Sequence, residues 1–211
     1  MRDFVFVFDK DGVIVDTEGI KLQVFLDMFA DYPDQRSEIE TYLATSQGLA
    51  RELRFRHIFG QILFLPQAEE KAQQFTRLSE EKLEGPLREA PLIPGIRQFM
   101  EEAPCPMYVC SRALPNEVKA HLHGHHLMGL LEDWYAYPAI KSQVLEDIKR
   151  SHPEAAVVFF GDTLLDWEAS QKASVGFIGL GGGFSSDVNF PLIPDFQDQD
   201  AIYSLVDQML R

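Results

Sequence analysis

The chain has 211 residues, of which 45% are hydrophobic and 25% are charged, and its formal net charge is −14 at pH 7. These values are typical of a globular protein that can bury a substantial core. The acidic balance argues against nucleic acid and anionic membranes as partners, and an anionic substrate would need a local positive site.

Three features bear on where the protein works. No apolar run reaches the ~18 to 20 residues of a membrane span. The N-terminus lacks the apolar region and the cleavage site of a signal peptide. The two cysteines, Cys105 and Cys110, are expected to be reduced thiols without a catalytic role. Together these features predict a cytoplasmic protein.

The first predicted element is a strand over Phe4–Phe8, where five consecutive aromatic or β-branched residues indicate burial on both faces of a parallel sheet. Asp9, Asp11 and Gly12 follow directly. Ligands of open α/β sheets bind beyond the carboxyl ends of the strands, so two acids there face a site. Like charges this close favour a divalent cation site in which one aspartate is also a nucleophile; an ordinary acidic turn is the alternative.

Residues 18–88 carry helical patterns and no convincing strand, which predicts a helical insert. Its helices are expected from about residue 20, through 39–43, over 49–59, and from Pro66 to a stop at Gly85-Pro86. Beyond the insert, strands and helices alternate. The strands are predicted at 107–110, 134–137, 155–160 and 175–180, the helices at 94–102, 115–123, 141–151, 164–173 and 200–210, and an irregular loop at 184–197.

This pattern predicts an α/β fold with a Rossmann-like, doubly wound parallel sheet. The core domain would comprise residues 1–17 and 89–211, and residues 18–88 would form an inserted α-helical cap domain. Three predicted strands end in polar residues, and their ends share one edge of the sheet, so these residues can meet. The residues are Asp9 and Asp11, then Ser111, then Asp162 followed by Asp166.

Phosphoryl transfer also needs a positive partner, and Lys141 at the start of a predicted helix suits that role. Each residue taken singly has a plain structural alternative. Ser111 could be a helix N-cap, Lys141 a solvated helix start, and Asp166 a first-turn carboxylate that complements the helix dipole.

Taken together, these residues resemble the motifs of the haloacid dehalogenase (HAD) superfamily, in its phosphatase branch and its phosphoglycolate-phosphatase and β-phosphoglucomutase-like group. The matching segments are Asp9-Lys10-Asp11-Gly12-Val13 with Asp16-Thr17-Glu18, then Ser111, Lys141, and Gly161-Asp162-Thr163-Leu164-Leu165-Asp166. The first and last segments are specific, whereas the single serine and lysine gain weight from their position. The resemblance spans the chain and implies a HAD-type phosphoric monoester hydrolase with a helical cap.

The resemblance also implies roles for these residues. Asp9 would be the nucleophile that forms an aspartyl-phosphate, and Asp11 the general acid and base. The cofactor would be Mg²⁺, held by the Asp9 carboxylate, the Asp11 backbone carbonyl and Asp162. Asp166 would orient Lys141 or a metal-bound water, or bind the ion directly. Lys141 would neutralise charge between Asp9 and the phosphate.

Substrate contacts are implied in both predicted domains. Ser111 and Arg112, with nearby backbone N–H groups, would bind the phosphoryl oxygens. In the insert, Gly48 with Arg51 and Arg54 resembles the substrate-specificity loop of the group. Arg51 or Arg54 could hold a second anionic group of the substrate, and an exposed helical arginine is the alternative.

Three features stand outside this pattern. Lys10 occupies a position where the group usually carries an apolar residue, and it is expected to point away from the acids, although it could modulate the site. The four histidines between 121 and 126 suggest zinc, but no cysteine or acid completes a ligand set, so a polar helix end is expected. Gly181–Gly183 fails the spacing of a dinucleotide loop and is expected to be a flexible exit from a strand.

The leading hypothesis is therefore a Mg²⁺-dependent phosphatase for a small phosphorylated metabolite. A sugar phosphomutase of the β-phosphoglucomutase type, which returns the phosphoryl group to the sugar, is the close alternative. A phospho-accepting signalling module is disfavoured by the long helical insert and by the spacing of Asp9 and Asp11. No protein partner can be inferred.

Overall fold

A computed structural model describes residues 3–46, 49–181, 184 and 188–209 of the chain. The chain divides into two compact units, one formed by Met1–Asp16 with Pro91–Arg211 and the other by Thr17–Ala90. We call them the α/β unit and the helical unit. The roles of the α/β unit as a catalytic core and of the helical unit as a cap stay predictions.

The α/β unit is built on a parallel sheet of six strands. These are β1 (Phe4–Phe8), β2 (Met107–Cys110), β3 (Asp133–Tyr135), β4 (Ala156–Gly161), β5 (Gly176–Leu180) and β6 (Leu192–Ile193). They lie in the order β3-β2-β1-β4-β5-β6, and every neighbouring pair is parallel. The strand order reverses at β1, which is where open α/β sheets bind their ligands. The predicted fold class is confirmed.

Helices make up the rest of the regular structure. The helical unit contains α1 (Glu18–Met28), α2 (Arg36–Thr45), α3 (Arg51–His57) and α4 (Ala68–Arg88), with a π-helical turn over Ile58–Ile62. The α/β unit contains α5 (Ile96–Glu102), α6 (Pro115–Gly124), α7 (Lys141–Ser151), α8 (Leu164–Ala173) and α9 (Gln199–Met209). Among the residues described, none of these helices is long and apolar enough to cross a membrane.

Strand β1 is buried on both faces, as its composition predicts. On one face Phe6 and Phe8 pack against Phe160, with ring centroids 5.3 and 5.1 Å apart. On the other face Val5 and Val7 belong to the apolar cluster that includes helix α7. Close packing on both sides leaves the strand little freedom. The residue that follows Phe8 therefore starts from a rigid base.

Two predicted details are wrong. Gly85-Pro86 does not stop the long helix: α4 continues to Arg88 with Pro86 inside it. Leu87 packs in the core of the helical unit, and this burial offsets the one backbone hydrogen bond that a proline lacks. The predicted loop 184–197 contains strand β6, which pairs Leu192 with Gly179 of β5. A two-residue edge strand depends on that neighbour and has no sequence pattern of its own.

Candidate active site

Asp9 continues the pairing of β1 with β4 by one residue beyond the carboxyl end of β1. The register pairs Phe8 with Phe160, and the Asp9 backbone N–H donates to the Phe160 carbonyl at 2.9 Å. The side chain is buried, and its Oδ1 accepts a hydrogen bond of 2.7 Å from the Lys10 backbone N–H. The backbone thus fixes both the position and the rotation of the Asp9 carboxylate.

Asp9, Asp162 and Asp166 form an acidic cluster at the carboxyl ends of β1 and β4. One carboxylate oxygen from each lies within 4.8 Å of the others. Within the ranges that the structure describes, this is the one group of three or more acidic, histidine or cysteine side chains with such spacing. Carboxylate oxygens are the ligands that a hard divalent cation prefers. The donor set therefore fits Mg²⁺.

Gly12 allows Asp162 to approach the end of β1. Its φ is +71°, in the left-handed region, and a Cβ there would overlap the Asp162 carboxylate. A residue with a side chain at this position would therefore carry backbone strain and would also push Asp162 away.

Gly12→Ala should consequently lower the free energy of unfolding by about 1–3 kcal/mol and weaken Mg²⁺ binding. Gly85→Ala is the matched control, because Gly85 lies in helix α4 with open space around its Cα. That change should raise the free energy of unfolding by about 0.5–1 kcal/mol. Urea unfolding with and without Mg²⁺ measures both effects, and a Gly12→Ala protein as stable as wild type would contradict the role of this glycine.

Lys141 places a positive charge inside the cluster. Its Nζ lies 2.7 Å from Asp9 Oδ2 and 2.5 Å from Asp166 Oδ1, and the side chain is buried. The second oxygen of Asp166 accepts a hydrogen bond of 2.6 Å from the Thr163 hydroxyl. Asp166 is therefore held between the start of its own helix and Lys141, an arrangement suited to orienting the lysine.

Asp11 has a lysine of its own, and here the expectation for Lys10 is wrong. The Lys10 side chain does not point away from the acids: its Nζ lies 2.9 Å from Asp11 Oδ1, and it is fully buried. The ammonium group also lies 3.0 Å from Nδ1 of His121. His121 lies in the last turn of α6 but is buried, unlike the exposed His123 and His126.

Ser111 follows β2 at the same edge of the sheet. Its backbone N–H donates to the Tyr135 carbonyl at 2.9 Å, and its Oγ accepts a hydrogen bond of 3.1 Å from Ala113 N–H. The N-cap of α6 is Leu114, so Ser111 does not have that role. Arg112, the next residue, is exposed.

Residues 5–174 match the sequence profile of the haloacid dehalogenase-like hydrolases. The chain belongs to this family. The prediction of a HAD-type hydrolase is thereby confirmed, and from here on we call the protein a HAD-like hydrolase. Among curated protein sequences, none matches the chain significantly.

Solved structures show the same fold at low identity. A predicted phosphoglycolate phosphatase from Haemophilus somnus 129pt is 16% identical, with a TM-score of 0.75 over 96% of this chain and 99% of that one. A protein assigned as a β-phosphoglucomutase from Thermotoga maritima is 16% identical, with a TM-score of 0.68 over 95% and 99%. A HAD-hydrolase from Bacillus subtilis, described as bound to magnesium, is 15% identical, with a TM-score of 0.70 over 97% and 100%. These likenesses establish the fold and leave the reaction open.

The electrostatics of the HAD-like hydrolase site favour a cation. With every group ionised, the four carboxylates (Asp9, Asp11, Asp162 and Asp166) and two ammonium groups (Lys10 and Lys141) carry a formal net charge of −2. Burial raises the pKa of the Asp9 carboxyl to about 6; Lys141 opposes this rise, and Asp166 and Asp11 add to it. Burial alone would lower the pKa of Lys141, but Asp166 and Asp9 outweigh it and raise that pKa. One divalent cation would offset the excess negative charge.

Three residues of the helical unit, Gly48, Arg51 and Arg54, are predicted from the sequence to contact the substrate. Gly48 lies outside the described residues. Arg51 is the half-buried first residue of α3, and its role stays a prediction. Arg54 is buried: its Nη2 donates to the Leu43 carbonyl at 2.6 Å and its Nε to Ser46 Oγ at 3.1 Å. These contacts tie α2 to α3 and give Arg54 a structural role.

Sequence reasoning missed two groups that support the site residues. Thr163 and Asp166 have the spacing of a capping box, a local signal that could have been recognised. Lys10 and His121 are 111 positions apart, and no local pattern links them. Within the described ranges, none of the histidines between 121 and 126 belongs to a group whose spacing could hold a metal ion.

Proposed function

We propose that this HAD-like hydrolase is a Mg²⁺-dependent phosphomonoesterase, which hydrolyses a small phosphorylated metabolite through an aspartyl-phosphate on Asp9. The observation that carries the proposal is the Lys141 ammonium group, 2.7 Å from the Asp9 carboxylate, inside an acidic cluster that fits a divalent cation. The dehalogenase branch of the family needs no metal. Asp11 and Asp162 together therefore favour phosphate chemistry.

In the first step an Asp9 carboxylate oxygen attacks phosphorus. The bond between phosphorus and the ester oxygen breaks, and Asp11 transfers its proton to the leaving oxygen. Lys141 stays charged and stabilises the negative charge that spreads over the phosphoryl oxygens. The products are the released alcohol and the aspartyl-phosphate.

In the second step water attacks the phosphorus of the aspartyl-phosphate. Asp11, now a carboxylate, accepts the proton of the water, and the bond between phosphorus and the Asp9 oxygen breaks. Inorganic phosphate leaves, and both aspartates return to their starting states. Asp11 thus acts as an acid and then as a base, which requires its carboxyl group to stay at one place beside the phosphoryl group.

The cation would be held by Asp9, Asp162 and the Asp11 backbone carbonyl. When bound, Mg²⁺ supplies positive charge to the phosphoryl oxygens and to the carboxylates around them. Asp166 orients Lys141 through the contact described above. Ser111 and Arg112 bind phosphoryl oxygens, and Gly48 and Arg51 contribute to substrate choice.

Chelation with EDTA should lower turnover by at least about 100-fold, and added Mg²⁺ should restore it. Asp162→Asn should require a higher Mg²⁺ concentration for half-maximal activity. Asp147→Asn is the matched control, because Asp147 is an exposed aspartate on helix α7. Turnover that is indifferent to chelation would remove the metal from the proposal.

A screen of phosphorylated metabolites with detection of released phosphate tests the reaction class. Phosphate release from one compound or a few related compounds is the expected result. Conversion of a sugar phosphate into its isomer without phosphate release would assign a phosphomutase instead. A phosphorylated chain that persists for hours without turnover would assign a phospho-accepting signalling module.

A further inference from the structure

We propose that Lys10 and His121 position the Asp11 carboxylate for proton transfer. The inference rests on the proposed function, in which Asp11 is the acid and base. Neither side chain would touch the substrate in this scheme. Both act through Asp11 and are therefore positioning residues.

The geometry forms a short chain of contacts from the core to the site. His121 on helix α6 is 3% exposed, and its Nδ1 lies 3.0 Å from Nζ of Lys10, which is 0% exposed. The same Nζ lies 2.9 Å from Asp11 Oδ1, whose side chain is 16% exposed. The ammonium group therefore stands between a packed helix and the more accessible carboxylate.

The chemistry of the three groups is complementary. An ammonium group can only donate hydrogen bonds, so Nδ1 of His121 is the acceptor in this contact. A buried ammonium group is costly unless it is paired and hydrogen-bonded. Asp11 Oδ1 and His121 Nδ1 both accept from the Lys10 ammonium group, which leaves the second oxygen of Asp11 to carry the proton that is transferred. Lys10 thus has a defined place that does not depend on substrate.

The pair also separates Asp11 from the other acids. Asp9 is paired with Lys141, whereas Asp11 is paired with Lys10, so each of the two aspartates has its own cation. Without Lys10, Asp11 Oδ1 would lose the ammonium contact that holds it in place. A proton donor displaced by a fraction of an ångström transfers its proton less efficiently, because general acid catalysis depends on hydrogen-bond reach.

Leaving-group dependence distinguishes positioning from simple structural support. An alkyl phosphate has a poor leaving group that needs the proton of Asp11, whereas p-nitrophenolate leaves readily without one. The value of kcat/KM covers the steps up to loss of the leaving group. A displaced Asp11 should therefore lower kcat/KM for the alkyl phosphate and leave that for p-nitrophenyl phosphate nearly unchanged.

The test compares Lys10→Met, His121→Leu and His121→Asn with wild type on p-nitrophenyl phosphate and on glycerol 3-phosphate or another alkyl phosphate that the screen identifies. We expect Lys10→Met and His121→Leu to lose about 10- to 100-fold in kcat/KM for the alkyl phosphate, and less than about 3-fold for p-nitrophenyl phosphate. His121→Asn should recover most of the loss, because the asparagine oxygen can accept where Nδ1 does. Lys119→Met, an exposed lysine on the same helix, is the control.

Equal losses on both substrates, or no loss on either, would overturn the inference while leaving the proposed function intact. A wild-type protein that hydrolyses neither substrate would overturn both. If Lys10→Met does not fold, the comparison of His121→Asn with His121→Leu decides, since these variants differ in whether the acceptor is retained.

Discussion

Asp9→Asn should abolish phosphomonoester turnover, with a loss in kcat on the order of 10⁴-fold or more. A carboxamide cannot attack phosphorus to give the acyl phosphate. Cys110 interacts electrostatically with Asp9 and Lys141, but burial raises the pKa of its thiol to about 12, so it stays neutral and unreactive. The loss should therefore be nearly complete.

Two measurements show whether Asp9→Asn loses activity because the nucleophile is gone or because the protein no longer folds. Wild type quenched during turnover should carry a phosphoryl group that hydroxylamine releases, and Asp9→Asn should carry none. The melting temperature of Asp9→Asn should stay close to that of wild type, because the change removes one of several crowded acids. Asp147→Asn, the exposed control, should be fully active. An Asp9→Asn enzyme with activity near wild type would refute the assignment.

Lys141→Met should lower both activity and stability. Lys141 is buried against Asp9 and Asp166, so its removal leaves two buried carboxylates without their ammonium partner. Breaking a buried ion pair from one side costs about 3–5 kcal/mol in unfolding free energy. Loss of the charge that stabilises the phosphoryl group should lower kcat by about 100- to 1,000-fold.

Denaturant unfolding and steady-state kinetics measure the two effects separately. Mg²⁺ should recover part of the lost stability, because it restores positive charge beside the same carboxylates, and it should not recover the activity. Lys119→Met supplies the matched control, since it removes an exposed lysine and should change neither quantity by more than about 0.5 kcal/mol or 2-fold. A Lys141→Met protein as stable as wild type would mean that the ion pair contributes little.

Much of the fold was accessible from local patterns. The predicted bounds of Lys141–Ser151 and Leu164–Ala173 coincide with α7 and α8. Helix α8 begins with a capping box, and α7 carries the basic residues Lys149 and Arg150 in its last turn. Strand β1 was predicted from five apolar residues in a row and is buried on both faces. Two predictions of the fold were wrong: the helix stop at Gly85-Pro86 and the irregular loop that contains β6. In both places packing or an adjacent strand outweighs the local signal.

Part of the candidate site was also accessible from the sequence. Acids that follow parallel strands gather at one sheet edge, and the structure brings Asp9, Asp162 and Asp166 to within 4.8 Å. This follows from topology, because strand register places successive strand ends side by side. The order of the motifs along the chain was thus enough to nominate the group, although the roles of its members stay predictions.

By itself, the sequence determined the fold class and family of this protein. Periodicity and strand ends can be recognised from neighbouring residues, and the order of the motifs can be recognised along the chain. Only the tertiary structure decided where the Lys10 side chain lies. A lysine between two aspartates can turn toward solvent or into the core, and the outcome depends on whether a buried acceptor is within reach. His121 provides that acceptor from a helix 111 positions away, and three-dimensional packing alone brings the two together.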